Sequence, residues 1–88
     1  MNGISRIPDE VKCISLSGDK TEKSVIDTKG LGCIIKPCGG ELYIKAKSGE
    51  TDGDAFVLSD GESFEFCGRI TVFSEASLKV NCLFYSTL

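Results

Sequence analysis

The stretch that decides the fold is SLKVNCLFYS, residues 77–86, in which apolar and polar side chains alternate. Successive side chains of a β-strand point to opposite faces, so every second residue shares a side. One side carries Leu78, Val80, Cys82 and Phe84, and the other carries Lys79, Asn81, Leu83 and Tyr85. A period of two with one apolar side predicts a β-strand that turns one face toward a hydrophobic core.

The same kind of pattern recurs along the chain. Alternating or short apolar runs occur at VKCISL (11–16), KSVIDT (23–28), GCIIK (32–36), ELYIKAK (41–47), DAFVLS (54–59), SFEF (63–66) and RITVFSE (69–75). Turn signals separate these runs at 17–19, 29–30, 37–40, 48–49, 52–53, 60–61 and 67–68. A turn every 8–12 residues is typical of an all-β sandwich. The sequence therefore predicts one domain over residues 1–88, a small jelly-roll-like sandwich of two sheets with about eight short antiparallel strands.

The turn in LSDGESFEF, residues 58–66, raises the question of whether it forms a site or joins two strands. Asp60, Gly61 and Glu62 are predicted to form a structural turn, because Asp bonds to nearby backbone and Gly accepts a positive φ. Phe64 and Phe66 share one side of the following strand and are predicted to enter the core.

Composition excludes several classes of function. The chain has 88 residues, a formal net charge of −3, no His, and ten basic residues scattered along its length. A nucleic-acid surface needs clustered Lys and Arg, so we expect no nucleic-acid partner. No apolar run reaches the roughly 18 residues of a membrane helix. The segment MNGISRIPDEVK lacks the apolar core of a signal peptide, so we expect no secretion and folding in a cytoplasm.

The five cysteines are Cys13, Cys33, Cys38, Cys67 and Cys82. An odd number and the absence of an export signal favour reduced, structural thiols. Cys33 and Cys38 flank a turn signal, which leaves a local disulfide open as an alternative. Their spacing could also supply half of a zinc site, although zinc sites usually combine two close pairs of ligands.

No catalytic, cofactor-binding or metal-binding residue is predicted. The acidic segment at residues 50–62 contains Glu50, Asp52, Asp54, Asp60 and Glu62, but its spacing does not match a calcium loop. Turns facing water explain the same residues. Without His, no side chain is marked as the base that would activate a Ser or Cys nucleophile. We therefore expect no enzyme and no cofactor.

Tyr43, Phe73 and Tyr85 form the candidate contact surface. Each falls on the side of its strand opposite the apolar side, and exposed aromatic side chains mark interfaces. Phe56 is a further candidate of the same kind. The alternative is that both faces of these strands are covered within the domain.

Residues 40–85, GELYIKAKSGETDGDAFVLSDGESFEFCGRITVFSEASLKVNCLFY, resemble small β-sandwich structural proteins of tailed bacteriophages and prophages. The matching elements are Tyr43-Ile44, Leu58, Gly61-Glu62-Ser63, Phe64, residues 70–74, Ala76 and residues 78–85. Asp60 stands where the family usually has Pro. The resemblance implies a virion accessory protein of the head, neck, fibre or tail. Such a protein works as a homo-oligomer with other virion proteins, first in the bacterial host cytoplasm and then in the virion.

Two other functions are compatible with these residues. The chain could be a small ligand- or carbohydrate-binding module with a groove lined by Tyr43, Phe73 or Tyr85. It could also be a phage protein that binds and regulates a host protein. The turn at Gly61 is similar to the second conserved box of cupins, but cupin enzymes hold a metal with His, and this chain has none.

Overall fold

The computed structural model describes residues 5–47 and 51–87, and over these residues the protein is all-β. The strands are β1 (Arg6–Leu16), β2 (Ser24–Cys38), β3 (Leu42–Lys45), β4 (Phe56–Leu58), β5 (Phe64–Phe73) and β6 (Leu78–Thr87), with one 3-10 turn at Asp52–Asp54. The predicted all-β class is confirmed. Within the same two ranges, no helix is long and apolar enough to cross a bilayer.

The strands form a single antiparallel sheet in the order β1-β6-β2-β5-β3-β4. The sequence predicts about eight short strands, whereas the described residues form six, because two pairs of predicted strands are continuous. The runs at 23–28 and 32–36 both belong to β2, and the runs at 63–66 and 69–75 both belong to β5.

A large bulge explains why these strands are continuous. Asp27 pairs with Arg69 and the next pair is Gly32 with Cys67, so residues 28–31 lie opposite Gly68 alone. Lys29, Gly30 and Gly68 have φ of 52°, 89° and 126°. The predicted turns Lys29-Gly30 and Cys67-Gly68 are therefore the two sides of one bulge, which bends both strands without ending them.

The alternation read from residues 77–86 is confirmed in β6, where Leu78, Val80, Cys82 and Phe84 are buried. The buried core draws on all six strands: Leu16, Ile26, Cys33, Ile35, Leu42, Ile44, Leu58, Ile70, Val72, Leu78, Val80, Cys82 and Phe84. Phe64 and Phe66 are partly buried against it, as predicted.

The sheet must curve around this core, since none of the described segments is a helix that could cover it. The rings of Phe56 and Phe64 show the curvature directly, with centroids 5.7 Å apart. Their strands β4 and β5 are separated by β3 in the sheet order. In a flat sheet, two strands on either side of a third lie about 10 Å apart.

Candidate functional site

The turn at residues 60–62 joins β4 to β5 and contacts the β2–β3 connection. Asp60 Oδ1 accepts a hydrogen bond from the Gly39 amide at 3.1 Å, and the Gly61 amide donates to the Pro37 carbonyl at 2.9 Å. Gly61 has φ of 83°, and Glu62 Oε1 accepts from the Ser59 amide at 2.8 Å. These polar atoms bind backbone of the same chain, which is what a structural turn requires.

Tyr43 and Phe73 stack on the outer face, the face of the sheet opposite the core. Their ring centroids are 5.2 Å apart, with 13° between the ring planes. Lys23 Nζ lies 4.4 Å from the Phe73 centroid, and Lys45 Nζ lies 6.0 Å from it. Asp52 binds both ammonium groups, at 3.2 Å from Lys23 and 3.0 Å from Lys45. The hydrogen bond from Lys45 is the main cause that lowers the pKa of Asp52.

Glu75 adds a second carboxylate to this cluster. It accepts a hydrogen bond from the Tyr43 hydroxyl and forms an ion pair with Lys20 at 2.7 Å. The bond from Lys20, followed by that from Tyr43, lowers the pKa of Glu75. The same bond to Glu75 raises the pKa of Tyr43. Phe73 is only 1% exposed beneath these groups, so its ring offers no open contact surface.

Tyr85 belongs to a different cluster. Its hydroxyl donates to Glu65, and Arg6 binds the same carboxylate through Nε at 3.0 Å and Nη2 at 3.1 Å. The Arg6 guanidinium lies 5.5 Å from the Tyr85 ring centroid. Tyr85 pairs with Gly32, opposite the N-terminal part of β5, whereas Phe73 ends β5. The structure therefore brings Tyr43 and Phe73 together and places Tyr85, 7% exposed, apart from them.

Cys33 and Cys38 do not pair with each other, whereas the buried thiols of Cys33 and Cys82 interact on the core face of β2 and β6. All five thiols are free, and no group of three possible metal ligands occurs within residues 5–47 and 51–87. Cys33 and Cys38 lie on the same strand with an odd spacing, so they face opposite sides. Cys33 is buried and Cys38 is exposed. Of the acidic residues considered for calcium, Glu50 lies outside the described residues.

The largest exposed apolar side chains lie mostly on the two edge strands. Ile7 and Val11 are exposed on β1, and Phe56 and Val57 are exposed on β4. Strand β4 has three residues, whereas β1 has eleven, and no residue from 6 to 13 is buried. A long strand with one unpaired flank offers backbone amides and carbonyls to another chain. The flank of β1 between Asp9 and Cys13, here named the β1 edge, is therefore the candidate interaction site.

The sequence predicts a strand at residues 11–16 but does not mark Val11, Glu10 or Lys12 as contact residues. Strand order was the missing information, because only order tells which strand has a single neighbour. The only local signal in the sequence is that an apolar residue, Val11, stands between two oppositely charged residues, Glu10 and Lys12. No family model, no curated protein and no solved structure matches this chain.

Proposed function

We propose that this chain is a non-enzymatic structural protein that works through contacts with copies of itself and with other proteins of a phage or prophage particle. The observation that carries the proposal is the β1 edge. The unpaired flank of β1 is the reason to expect association with another chain. The resemblance of residues 40–85 is the reason to place that association in a phage or prophage particle.

The energetics of β1 favour a second chain bound along its free flank. Ordering a residue's backbone costs roughly 1–2 kcal/mol, and burial of apolar surface normally offsets that cost. No residue from 6 to 13 is buried, and apart from the Arg6 and Lys12 side-chain contacts with Glu65, Tyr85 and Phe84 this segment is held by its ladder to β6. Val11, on the outer face, is 74% exposed. A second chain on the free flank would supply hydrogen bonds and cover this side chain.

We also propose that the curved sheet is a jelly-roll-like sandwich of two layers that meet at the bulge. Strand β6 pairs only with residues 32–38 of β2, and β3 pairs only with residues 71–73 of β5. One layer then holds β1, β6 and the two strand halves on one side of the bulge. The other holds β3, β4 and the remaining halves. An experimental structure with both halves of β2 in one flat layer would contradict this arrangement.

A carbohydrate groove along Tyr43, Phe73 and Tyr85 is not favoured. Phe73 lies beneath Lys23 and Lys45, and Tyr85 lies in a separate cluster with Arg6. Sugar stacking needs an open aromatic face, and neither buried ring provides one. Binding to a host protein would use the same β1 edge, so the test must first ask whether the protein binds itself.

Light scattering after size exclusion at ~100 μM, well above micromolar dissociation constants, tests self-association. We expect a mass above that of one chain, and a shift toward one chain for Val11→Lys. Val25→Lys is the matched control, because Val25 is 50% exposed but lies on β2 away from the β1 edge. A wild-type protein that stays a single chain at this concentration contradicts self-assembly.

A further inference from the structure

We propose that two copies join through their β1 edges as antiparallel neighbours, about a two-fold axis at Val11. Glu10 of each copy then lies opposite Lys12 of the other, and Val11 lies opposite Val11. This inference rests on the self-association proposed above and specifies its register and its symmetry.

The local geometry of β1 allows this register. From Glu10 to Leu16 the strand pairs with β6 without interruption, so the residues around Val11 are regularly extended. In an antiparallel pair, directly opposite residues point to the same face. A two-fold axis at one residue places that residue opposite itself and its two neighbours opposite each other. It is compatible with either hydrogen-bonding pattern of the central pair.

The charges select Val11 among the possible axes. An axis at Glu10 would set two carboxylates opposite each other, and an axis at Lys12 would set two ammonium groups opposite each other. Like charges directly opposite destabilise a strand pair, and opposite charges stabilise it. Only the axis between them gives two Glu10–Lys12 pairs. An axis at Cys13 would leave Lys12 opposite Ile14 without a charged partner.

An apolar row on the outer face points to the same axis. Val11 pairs with Leu83, and Leu83 pairs with Ile34, so the three side chains form one row across β1, β6 and β2. Ile34 and Leu83 are half-buried, and Val11 at the open end is the most exposed. The two-fold axis at Val11 continues this row into the second copy and covers its open end.

The same strand contains features that stop the association at two copies. The register shifts between Pro8 and Glu10, where Asp9 forms a bulge, and Pro8 has no amide hydrogen to donate. The ladder between copies is therefore short. Each copy has one β1 edge, and an isologous contact through it closes on itself as a dimer.

Charge reversal tests the register. Glu10→Lys and Lys12→Glu each create two like-charge pairs in the dimer, whereas the double variant Glu10→Lys/Lys12→Glu restores two opposite pairs. We expect each single change to raise the dissociation constant about tenfold or more. The double variant is expected to return to within about threefold of wild type, within the usual non-additivity of neighbouring changes. Sedimentation equilibrium measures all four proteins.

Lys79→Glu is the control for net charge, because Lys79 is an exposed β6 residue away from the axis. It should leave the dissociation constant unchanged. Thermal unfolding of each variant checks the fold, since Lys12 Nζ lies 5.7 Å from the Phe84 ring. If neither single change alters the dissociation constant, the proposed register is wrong, but the proposed self-assembly is not contradicted. A wild-type single chain overturns both, and growth beyond two copies overturns the closed symmetry.

Cross-linking gives a second measurement that does not depend on charge. In a background with Cys13, Cys38 and Cys67 changed to Ser, Val11→Cys should form an intermolecular disulfide on oxidation, because position 11 meets itself within disulfide reach. In a second variant, Cys13 is restored and Val11 is kept. The Cys13 thiols of the two copies then lie on opposite sides of the two-fold axis, too far apart to form a disulfide. Efficient cross-linking through Cys13 and none through position 11 overturns the proposed axis.

Discussion

The ring of Tyr85 lies across the backbone of Gly32, so close that a β-carbon at position 32 would fall 2.4 Å from ring atom Cζ. The two residues are direct partners in the β2–β6 ladder. Absence of a side chain on β2 lets the ring cross the strand and place its hydroxyl on Glu65. The missing side chain at Gly32 therefore makes room for the Tyr85 ring and allows the Arg6–Glu65–Tyr85 cluster to form.

Gly32→Ala is expected to lower stability by about 1–3 kcal/mol, the usual cost of overpacking. The Tyr85 ring must swing away and lose Glu65. Urea unfolding measures the effect. The control is the same change in a Tyr85→Ala background, where the added methyl group meets no ring and the cost should largely disappear. An equal cost in both backgrounds would contradict the close contact.

Gly61→Val is expected to lower stability by roughly 1–3 kcal/mol, because a β-branched residue is strained at positive φ. Gly61 has φ of 83°, and an added β-carbon would meet nothing within 4 Å. The cost should therefore come from the backbone alone. Gly61→Asn is the control and should cost less, since Asn tolerates this region. Equal melting temperatures for wild type and the Val variant would refute the strain.

Thr28→Val is expected to destabilise the bulge by about 0.5–1.5 kcal/mol, the net contribution of one hydrogen bond, because the exposed Gly68 amide can bond to water instead. Thr28 is buried, and its Oγ1 accepts a hydrogen bond from the Gly68 amide at 2.8 Å. Thr28→Ser keeps the hydroxyl and should stay closer to wild type. Hydrogen exchange at the Gly68 amide offers a local readout, with faster exchange expected in the Val variant. Unchanged exchange there would show that the hydroxyl does not hold the bulge.

Stability is expected to fall in acid and again in strong alkali. Bonds from Tyr85, then Arg6, lower the pKa of Glu65 below its usual 4.5, so its contribution is present above that value and lost as pH falls through the lowered pKa. The bond to Glu65 raises the pKa of Tyr85 above its usual 10.0, so that contribution is present below 10.0 and lost as pH rises through the raised pKa.

Urea midpoints across the pH range measure both effects. Glu65→Gln should make the acid and the alkaline limb shallower together, because it removes the carboxylate that Arg6 and Tyr85 share, while Asp52, Glu75 and Tyr43 keep their own contributions. Glu41→Gln, at a site outside this cluster, is the control and should leave the acid limb as it is; its charge helps to raise the pKa of Tyr43, so it is not used as a control for the alkaline limb. A wild-type profile that stays level on both sides would contradict the Arg6–Glu65–Tyr85 cluster.

The thiols are expected to react in two groups. Cys13, Cys38 and Cys67 are exposed, whereas Cys33 and Cys82 are buried in the core. Burial raises the pKa of Cys33 to about 12, which leaves almost no thiolate at neutral pH. A thiol reagent at about pH 8, below the usual cysteine pKa, should modify the exposed group quickly and the buried group only on unfolding. Rapid modification of Cys33 in the native protein would contradict its place in the core.

The sequence by itself determined that the chain is β-structured and which side of β6 enters the core. Alternation is a local property of an extended chain, so the period of two around Val80 suffices to predict it. The turn at Gly61 carries a local signal as well, in its glycine and in the bond from the Ser59 amide to Glu62, although its bonds to Pro37 and Gly39 depend on the tertiary fold.

Only the tertiary structure decided the number of strands, their order and the candidate site. Gly30 and Gly68 read as two separate turns until β2 and β5 pair and bring them opposite each other as one bulge. Phe73 and Tyr85 are covered by charged residues distant in sequence, which no local pattern records. Val11 is a contact candidate because β1 has one neighbour, and a strand's neighbours are fixed by long-range pairing.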